Sequence, residues 1–352
     1  MVQINKDQIH LSRWKRFQFN WHRGHGHRLA YLANRFKWYV YPQLRHTSRF
    51  PDHVDVELSA ACDMTCPMCY TITEEFDRSV TKKLMSFDLF KKIVDECARY
   101  GCYSIRLSLR GEPFLNKHIV EMVAYAKRAG IKEVSTLTNG LRLNPAMFRE
   151  LMAVGLDWIT ISFDGMGKTY EEIRAPAKFE EAVEKIKTYK RIKDDAGSVK
   201  PVIKIQPVWP SIKECAREFY ELFEPYVDHI ASNPLVDYLR KDENIEYWEN
   251  FTCPVLYQRL VIGSDGKILL CSNDEMGLHP LGDANHESLY EVWHGPKMEE
   301  ARAVHRRHQG VASLEPCKHC YLPRKTQRVI ERMGDAYIPV DKLINRPDVV
   351  GR

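Results

Sequence analysis

Cys62, Cys66 and Cys69 fall within the eight residues CDMTCPMC, spaced C-x3-C-x2-C. Three thiols this close in sequence are suited to a metal centre. A structural zinc ion closes its coordination with four ligands. A cubane iron–sulfur cluster also has four metal corners. Three protein thiolates therefore leave one corner open, and an open corner is where a substrate or cofactor binds.

A second group lies far downstream. Cys253 and Cys271 precede Cys317 and Cys320, the last two as a C-x2-C pair. Four thiols in two pairs can close a structural zinc site or all four corners of a cube, and spacing alone leaves both open. Three of the ten cysteines remain. Cys97 lies on an apolar helix face and Cys102 at the start of a strand, so both are expected in the core. Cys215 begins a helix after the fifth strand. A packed or solvent-facing thiol is the plainer reading of its place there.

The elements that must position these residues alternate. VDVELSA (54–60) has the period of a strand and ends where the cysteine loop begins. SFDLFKKIVDECARY (86–100) reads as a helix capped by Ser86. Strands are expected at 103–109, 133–138, 157–162, 201–208 and 227–232, with helices at 118–130, 145–155, 169–193 and 212–223 between them. Six strand–helix units imply a parallel sheet with helices outside it, in an open or partial barrel rather than a complete eight-fold one. Chemistry in such folds sits at the C-terminal ends of the strands. After residue 245 the pattern changes. RLVIGSDGKILLC (259–271) reads as a hairpin turning on Ser264-Asp265-Gly266, followed by a helix near 288–305. The expected division is an N-terminal extension (1–51), a barrel (52–240), a small α+β domain (241–325) and a short tail (326–352).

With 352 residues and ordinary apolar and charged fractions, the chain can bury a full core. The first fifteen residues are polar and basic and contain no apolar stretch of the kind a signal peptide needs. No apolar run is long enough to span a bilayer, so the expected location is cytoplasmic. There, cysteines point to metal or catalysis before disulfides. Charge is uneven. Residues 1–50 hold ten Lys or Arg against one acid, Asp7, for a net +9 within a chain total of +5. An anionic partner fits this segment, whether nucleic acid, lipid surface or phosphorylated substrate; a solvated basic arm folded on the body is the plainer alternative. Within it, Leu29, Leu32, Phe36 and Tyr39/Val40 are helix-spaced, and such a stripe is expected to pack on the domain.

A C-x3-C-x2-C loop after the first strand of a βα barrel resembles the radical S-adenosylmethionine (radical SAM) superfamily, over roughly residues 52–325. The resemblance implies a partial (β/α)6 barrel and a [4Fe–4S] cluster on Cys62, Cys66 and Cys69, with its open iron chelated by SAM. Reduction then releases a 5′-deoxyadenosyl radical that abstracts a hydrogen. Further positions resemble the family one by one. RGEP (110–113) stands where the family has Gly-Gly-Glu, so Gly111 and Glu112 match while Arg110 replaces the first glycine. Glu112 is then expected to accept from the SAM amino group. Thr138 and Asn139 match ribose-binding positions, Ser162 a residue near the methionine carboxylate, and Arg174 the arginine that pairs with it. Met68 stands where an aromatic residue often covers adenine.

Cys253, twelve residues, Gly266, four residues, Cys271 is similar to the opening of SPASM and twitch domains. With Cys317 and Cys320 it resembles the shorter twitch version, one fully ligated auxiliary [4Fe–4S] cluster. The implied partners are an electron donor of flavodoxin or ferredoxin type and a substrate. Two enzyme readings follow: oxidation or epimerisation of a small, in some cases anionic, molecule such as a sugar, aminocyclitol or nucleotide-linked metabolite, or modification of a peptide or protein side chain; for epimerisation the resemblance makes Cys215 the candidate hydrogen donor to a substrate radical. A zinc-stabilised nucleic-acid-binding protein is the alternative of another class.

Overall fold

The computed structural model describes residues 13–233, 244–249, 251–308, 310–333 and 336–345. The expected 240/241 boundary lies outside them. Two helices come first, α1 (Arg13–Arg23) and α2 (Arg28–Leu44). Six strands then run parallel and in sequence order: β1 (His53–Val56), β2 (Ser104–Arg106), β3 (Glu133–Thr138), β4 (Trp158–Ser162), β5 (Val202–Gln206) and β6 (His229–Ile230). The register places Asp55 beside Arg106, Arg106 beside Ser135 and Ser135 beside Trp158. This is the expected partial barrel.

A short helix that the sequence reading did not find, α3 (Glu74–Ser79), follows the cysteine loop, capped by Thr73 accepting from Phe76 N–H. The connecting helices α4 (Phe87–Arg99), α5 (Ile119–Arg128) and α6 (Pro145–Ala153) fall where periodicity put them. In α4, the Ser86 side chain accepts from Leu89 N–H, and Phe90, Ile93, Val94 and Cys97 are buried on one face. Cys102 is buried too.

Three helix expectations are corrected, two of them at a proline. The stretch 169–193 is two helices, α7 (Gly167–Ile173) and α8 (Phe179–Asp195), because Pro176 between them has no N–H to continue the ladder. The stretch 212–223 is helical only from Ala216, as α10 (Ala216–Phe223), and its Ile212 instead ends a separate short helix, α9 (Trp209–Ile212), with Pro210 in its first turn. The helix near 288–305 divides into α12 (Leu289–Trp293) and α13 (Pro296–Val304), with Pro296 at the start of the second, where its missing N–H costs nothing.

The C-terminal segment is wired into the barrel sheet. After α11 (Val255–Gln258), β7 (Arg259–Ile262) pairs in parallel with the free edge of β1, and β8 (Lys267–Leu269) and β9 (Pro280–Asp283) continue antiparallel. The expected hairpin is present, and one sheet of nine strands carries both parts of the chain. α14 (Glu315–Lys318) follows. Within residues 326–345, β10 (Thr326–Met333) pairs antiparallel with β11 (Ala336–Leu343) as a second hairpin.

The N-terminal helices close the base of the barrel. Arg23 forks onto Glu133 at the start of β3, at 3.0 and 2.7 Å. Phe19 lies 4.4 Å from the His229 ring and meets Trp158 edge-on, both at strand starts. Lys37 pairs with Asp52, and Gln258 donates to the Trp38 carbonyl. The stripe expected to pack, however, faces largely outward: Leu29, Leu32, Phe36 and Tyr39 are exposed, and Val40 is half-buried. The face that packs carries Tyr31, Asn34 and Pro42, with Tyr31 donating to Asn20 at 2.7 Å. Because α2 is apolar on more than one face, spacing identifies a stripe but not which stripe meets the body.

Candidate active site

The three cysteines sit in the loop after β1, at the C-terminal end of the parallel strands. A turn joins two of them, Cys69 N–H donating to the Cys66 carbonyl at 2.9 Å. Three neighbours hold the loop. Glu112 N–H donates to the Ala61 carbonyl at 2.8 Å. Asn139 Nδ2 donates to Asp63 at 2.8 Å, and Arg142 Nε to the other oxygen of Asp63 at 2.6 Å. Asn139 Nδ2 also lies 3.9 Å from Cys62 Sγ. Gly111 is required by this packing, since a Cβ there would lie 2.2 Å from the Ala61 oxygen and 2.6 Å from the Ser59 oxygen. Burial pushes the Cys66 thiol up, and the nearby Arg174 guanidinium opposes that shift, as a thiolate ligand requires.

Glu112 is buried beside this loop. Its Oε1 accepts from Phe114 N–H at 3.0 Å and from Thr138 Oγ1 at 2.8 Å, and its Oε2 accepts from Asn139 N–H at 2.8 Å. Burial still raises its pKa to about 7, against these donors. Oε2 retains a free lone pair. The carboxylate is thus fixed in place with capacity for one more donor. Thr138 spends its hydroxyl within the protein, donating to Glu112 and accepting from Gly140 N–H. The Asn139 side chain serves Asp63 and Leu141 N–H. Both therefore shape the Glu112 pocket and the cysteine loop.

Arg174 follows α7 and forks onto the fully buried Asp164, which also accepts from Val208 N–H at 2.7 Å. Sequence reasoning missed Asp164, although it stands in the turn SFDG that drew attention to Ser162. Ser162 ends β4 in register with Gln206 of β5. Met68 is partly buried against the core. Cys215 stands at the N-cap position of α10 without a side-chain capping bond; burial raises its thiol pKa, and Glu218 and Glu214 add to the shift.

Below the triad, the barrel interior is charged. Asp55 meets His53, Arg106 and Arg259, which hold its carboxyl well below the usual range against the cost of burial. Glu57 takes the Arg110 fork at 2.7 and 2.6 Å and accepts from Ser264 N–H. Arg110 also donates to the Glu275 carbonyl, joining the barrel to the C-terminal segment. The residue in place of the family's glycine is therefore a tie between the two parts.

The second cysteine set gathers where that segment folds back. Cys253, Cys271, Cys317 and Cys320 are all buried free thiols. Burial pushes Cys253, Cys271 and Cys320 up to about 12, and neighbouring thiols of the set add to the shift of each of the four. Such repulsion is what a bound cationic cluster relieves. Donors are aimed at the sulfurs: Asn273 Nδ2 at Cys320 (3.0 Å), Asn273 N–H at Cys271 (3.3 Å) and Leu322 N–H at Cys320 (3.4 Å), and His305 Nε2 lies 3.3 Å from Cys317 Sγ. Burial lowers His305 to about 4, so it is neutral, and its Nε2 proton can serve the sulfur. Free thiols with N–H donors suit an iron–sulfur cluster, whose sulfurs accept such bonds. Asn273 and His305 have no sequence signature and were found only in the fold.

Residues 56–203 match the family model of the Radical SAM superfamily, and residues 253–321 match that of the SPASM iron-sulfur cluster-binding domain. All seven cysteines of the two sets lie inside these matches. Fe-coproporphyrin III synthase of Methanosarcina barkeri is 29% identical over 117 residues, 33% of this chain and 28% of that protein. GTP 3′,8-cyclase of a Synechococcus species is 34% identical over 118 residues, 31% of this chain and 32% of that one. The chain thus spans about a third of the length of these curated relatives. Among solved structures, BtrN in complex with AdoMet and 2-DOIA superposes with a TM-score of 0.56 at 18% identity, covering 78% of this chain and 94% of that one. Streptococcus suis SuiB bound to S-adenosylmethionine gives 0.56 at 16% identity, covering 83% and 77%. At these identities the likeness is one of fold. The family models add the chemistry: a SAM-binding [4Fe–4S] cluster and an auxiliary cluster, which makes iron–sulfur rather than zinc the reading of the second set. We conclude that this chain belongs to the radical SAM superfamily and carries a C-terminal iron–sulfur domain of the SPASM type.

Proposed function

We propose that the protein oxidises a small polar molecule, with a sugar, an aminocyclitol or a nucleotide-linked metabolite as the substrate class. The observation that carries this reading is the four-thiol set. Cys253, Cys271, Cys317 and Cys320 are enough to ligate every corner of one cube, which leaves no position there for substrate. When bound, the two groups supply a 5′-deoxyadenosyl radical at the first set and one-electron acceptance at the second.

The chain's own residues then have separable tasks. Cys62, Cys66 and Cys69 hold the first group, and Glu112 takes the SAM amino group on its remaining lone pair. Arg174, braced by Asp164, faces the methionine carboxylate, and Met68 covers adenine. Ser162 lines the same end of the barrel. The charged interior and the α1–α2 plug keep substrate at the mouth and exclude bulk water from the base. An electron carrier of flavodoxin or ferredoxin type supplies the reducing electron.

The likeness to BtrN, crystallised with 2-DOIA, supports a small substrate by fold alone. SuiB has been crystallised with its precursor peptide, and modification of a peptide remains the competing reading on the same footing. Epimerisation differs from both in requiring a hydrogen donor, for which Cys215 is the candidate. Turnover of an identified substrate in deuterated water separates the outcomes. Oxidation gives a product two hydrogens lighter with no new carbon-bound deuterium. A product of unchanged connectivity that gains one deuterium, and loses that gain in Cys215→Ala, overturns the proposal.

A further inference from the structure

The N-terminal helices carry a surface that the active site does not use. Eight of the eleven large apolar side chains exposed among the described residues lie between Trp14 and Leu44. Isolated exposed apolar residues are ordinary, but a contiguous patch marks a binding surface. On α1, Trp14, Phe17 and Trp21 stack in a row, with ring centroids 5.5 and 6.0 Å apart. On α2, Leu29, Leu32, Phe36 and Tyr39 form a second stripe at helical spacing. Arg28 joins the two. Its guanidinium lies 3.7 Å from the centre of the Trp21 ring, and it stands one turn before Leu32.

Charge decides what covers this patch. Residues 1–50 carry a net +9. Arg23 and Lys37 are spent on Glu133 and Asp52, inside the base of the barrel. Arg28 and Arg45 remain exposed at the two ends of α2, and the sequence of α1 adds Arg13, Lys15 and Arg16. Helices that pair Trp, Phe and Leu with Arg and Lys lie in the interface of a bilayer, and Trp and Tyr favour the headgroup level.

We propose that the outward face of α1 and α2 docks the protein on an anionic lipid surface, lying in the headgroup layer without crossing it. Among the described residues no helix is long and apolar enough to cross a membrane. A second copy of the chain would bring two strongly positive faces together. A nucleic acid would use the cations and the aromatic rings but not aliphatic Leu29 and Leu32. An electron carrier has to approach the first cysteine set, at the other end of the strands from the base that these helices close. Docked this way, the base of the barrel meets the lipid and its mouth faces solvent. The proposal holds for either substrate class above.

Flotation of the anaerobically reconstituted full chain tests it. The probes are vesicles of phosphatidylglycerol and phosphatidylcholine in equal parts, and vesicles of phosphatidylcholine alone. The chain should partition at least roughly ten-fold more onto the anionic vesicles, and added salt should weaken that binding. L32E/F36E, at two exposed positions, should lose about ten-fold or more of it while iron content and SAM cleavage stay unchanged. If that variant lost iron, L29Q/Y39Q carries the same expectation. The proposal is overturned if the wild-type chain stays with the unbound fraction or if the folded variant floats as well as the wild type. It is also overturned if the patch substitutions act instead by dissolving a dimer or by abolishing retention of added nucleic acid.

Discussion

Thr138 donates its hydroxyl proton to Glu112, Oγ1 to Oε1 at 2.8 Å, across the gap between the end of β3 and the loop after β2. The bond favours the ionised carboxylate against the burial that opposes it. Thr138→Val should therefore raise the Glu112 pKa above about 7 and weaken SAM binding roughly five-fold near neutral pH, the effect of one lost hydrogen bond of about 1 kcal/mol. Thr138→Ser should restore it. Calorimetric titration with SAM measures both, and equal affinity in all three proteins would remove Thr138 from the site.

Glu112 should also set the pH dependence of SAM binding. Its pKa is raised to about 7, and in the proposed contact only its ionised form would attract the SAM amino group. Affinity should be highest above about 7 and fall by up to roughly ten-fold per unit as pH drops below it. Stability runs the other way. The folded pKa lies above the unfolded one, so this group's contribution is fully present below the ordinary glutamate range and is lost as pH rises through about 7. Glu112→Gln should flatten both profiles, and a binding profile that keeps its slope in that variant would place the titrating group elsewhere.

Gly111→Ala should damage the first metal site and spare the second. The added methyl would collide with the Ala61 and Ser59 carbonyls, which begin the cysteine loop. Both are backbone atoms, so relief requires the loop to move. Iron analysis with electron paramagnetic resonance should show about half the iron and only the auxiliary signal. Full iron with both signals would mean that the RGE loop does not position the triad.

His305→Phe should lower the reduction potential of the auxiliary cluster. Nε2 lies 3.3 Å from Cys317 Sγ, and an N–H donor on a cluster sulfur favours the more negative, reduced state. Asn273→Ala should act in the same direction through Cys320. SAM cleavage without substrate should not change in either. A potential that rises or stays fixed in redox titration would exclude these donors.

Much of the site lay open in the sequence because its signals are local. C-x3-C-x2-C, RGE and C-x2-C are short motifs, and the alternation of strands and helices fixes which ends of the strands they occupy. What stayed hidden depends on distant partners. Nothing near Arg110 indicates that Glu57 on β1 takes its fork, or that it reaches the Glu275 carbonyl. Asp164 is ten residues from Arg174, but α7 has to fold before they meet. The parallel pairing of β7 with β1 joins positions about two hundred residues apart and has no local signature. The outward stripe of α2 was visible as a pattern, yet its direction follows from Tyr31 and Asn34 packing on the other side.

The central claim, that the first cysteine triad drives reductive SAM cleavage while the second set holds an independent cluster, is tested most directly by comparing the wild type with C62A/C66A/C69A. Both proteins are reconstituted anaerobically, analysed for iron, reduced, and incubated with SAM. The wild type should release methionine and 5′-deoxyadenosine. The triple variant should retain about half the iron and the auxiliary signal and form no 5′-deoxyadenosine. Undiminished iron in the variant, or 5′-deoxyadenosine formed at the wild-type rate, would contradict the account.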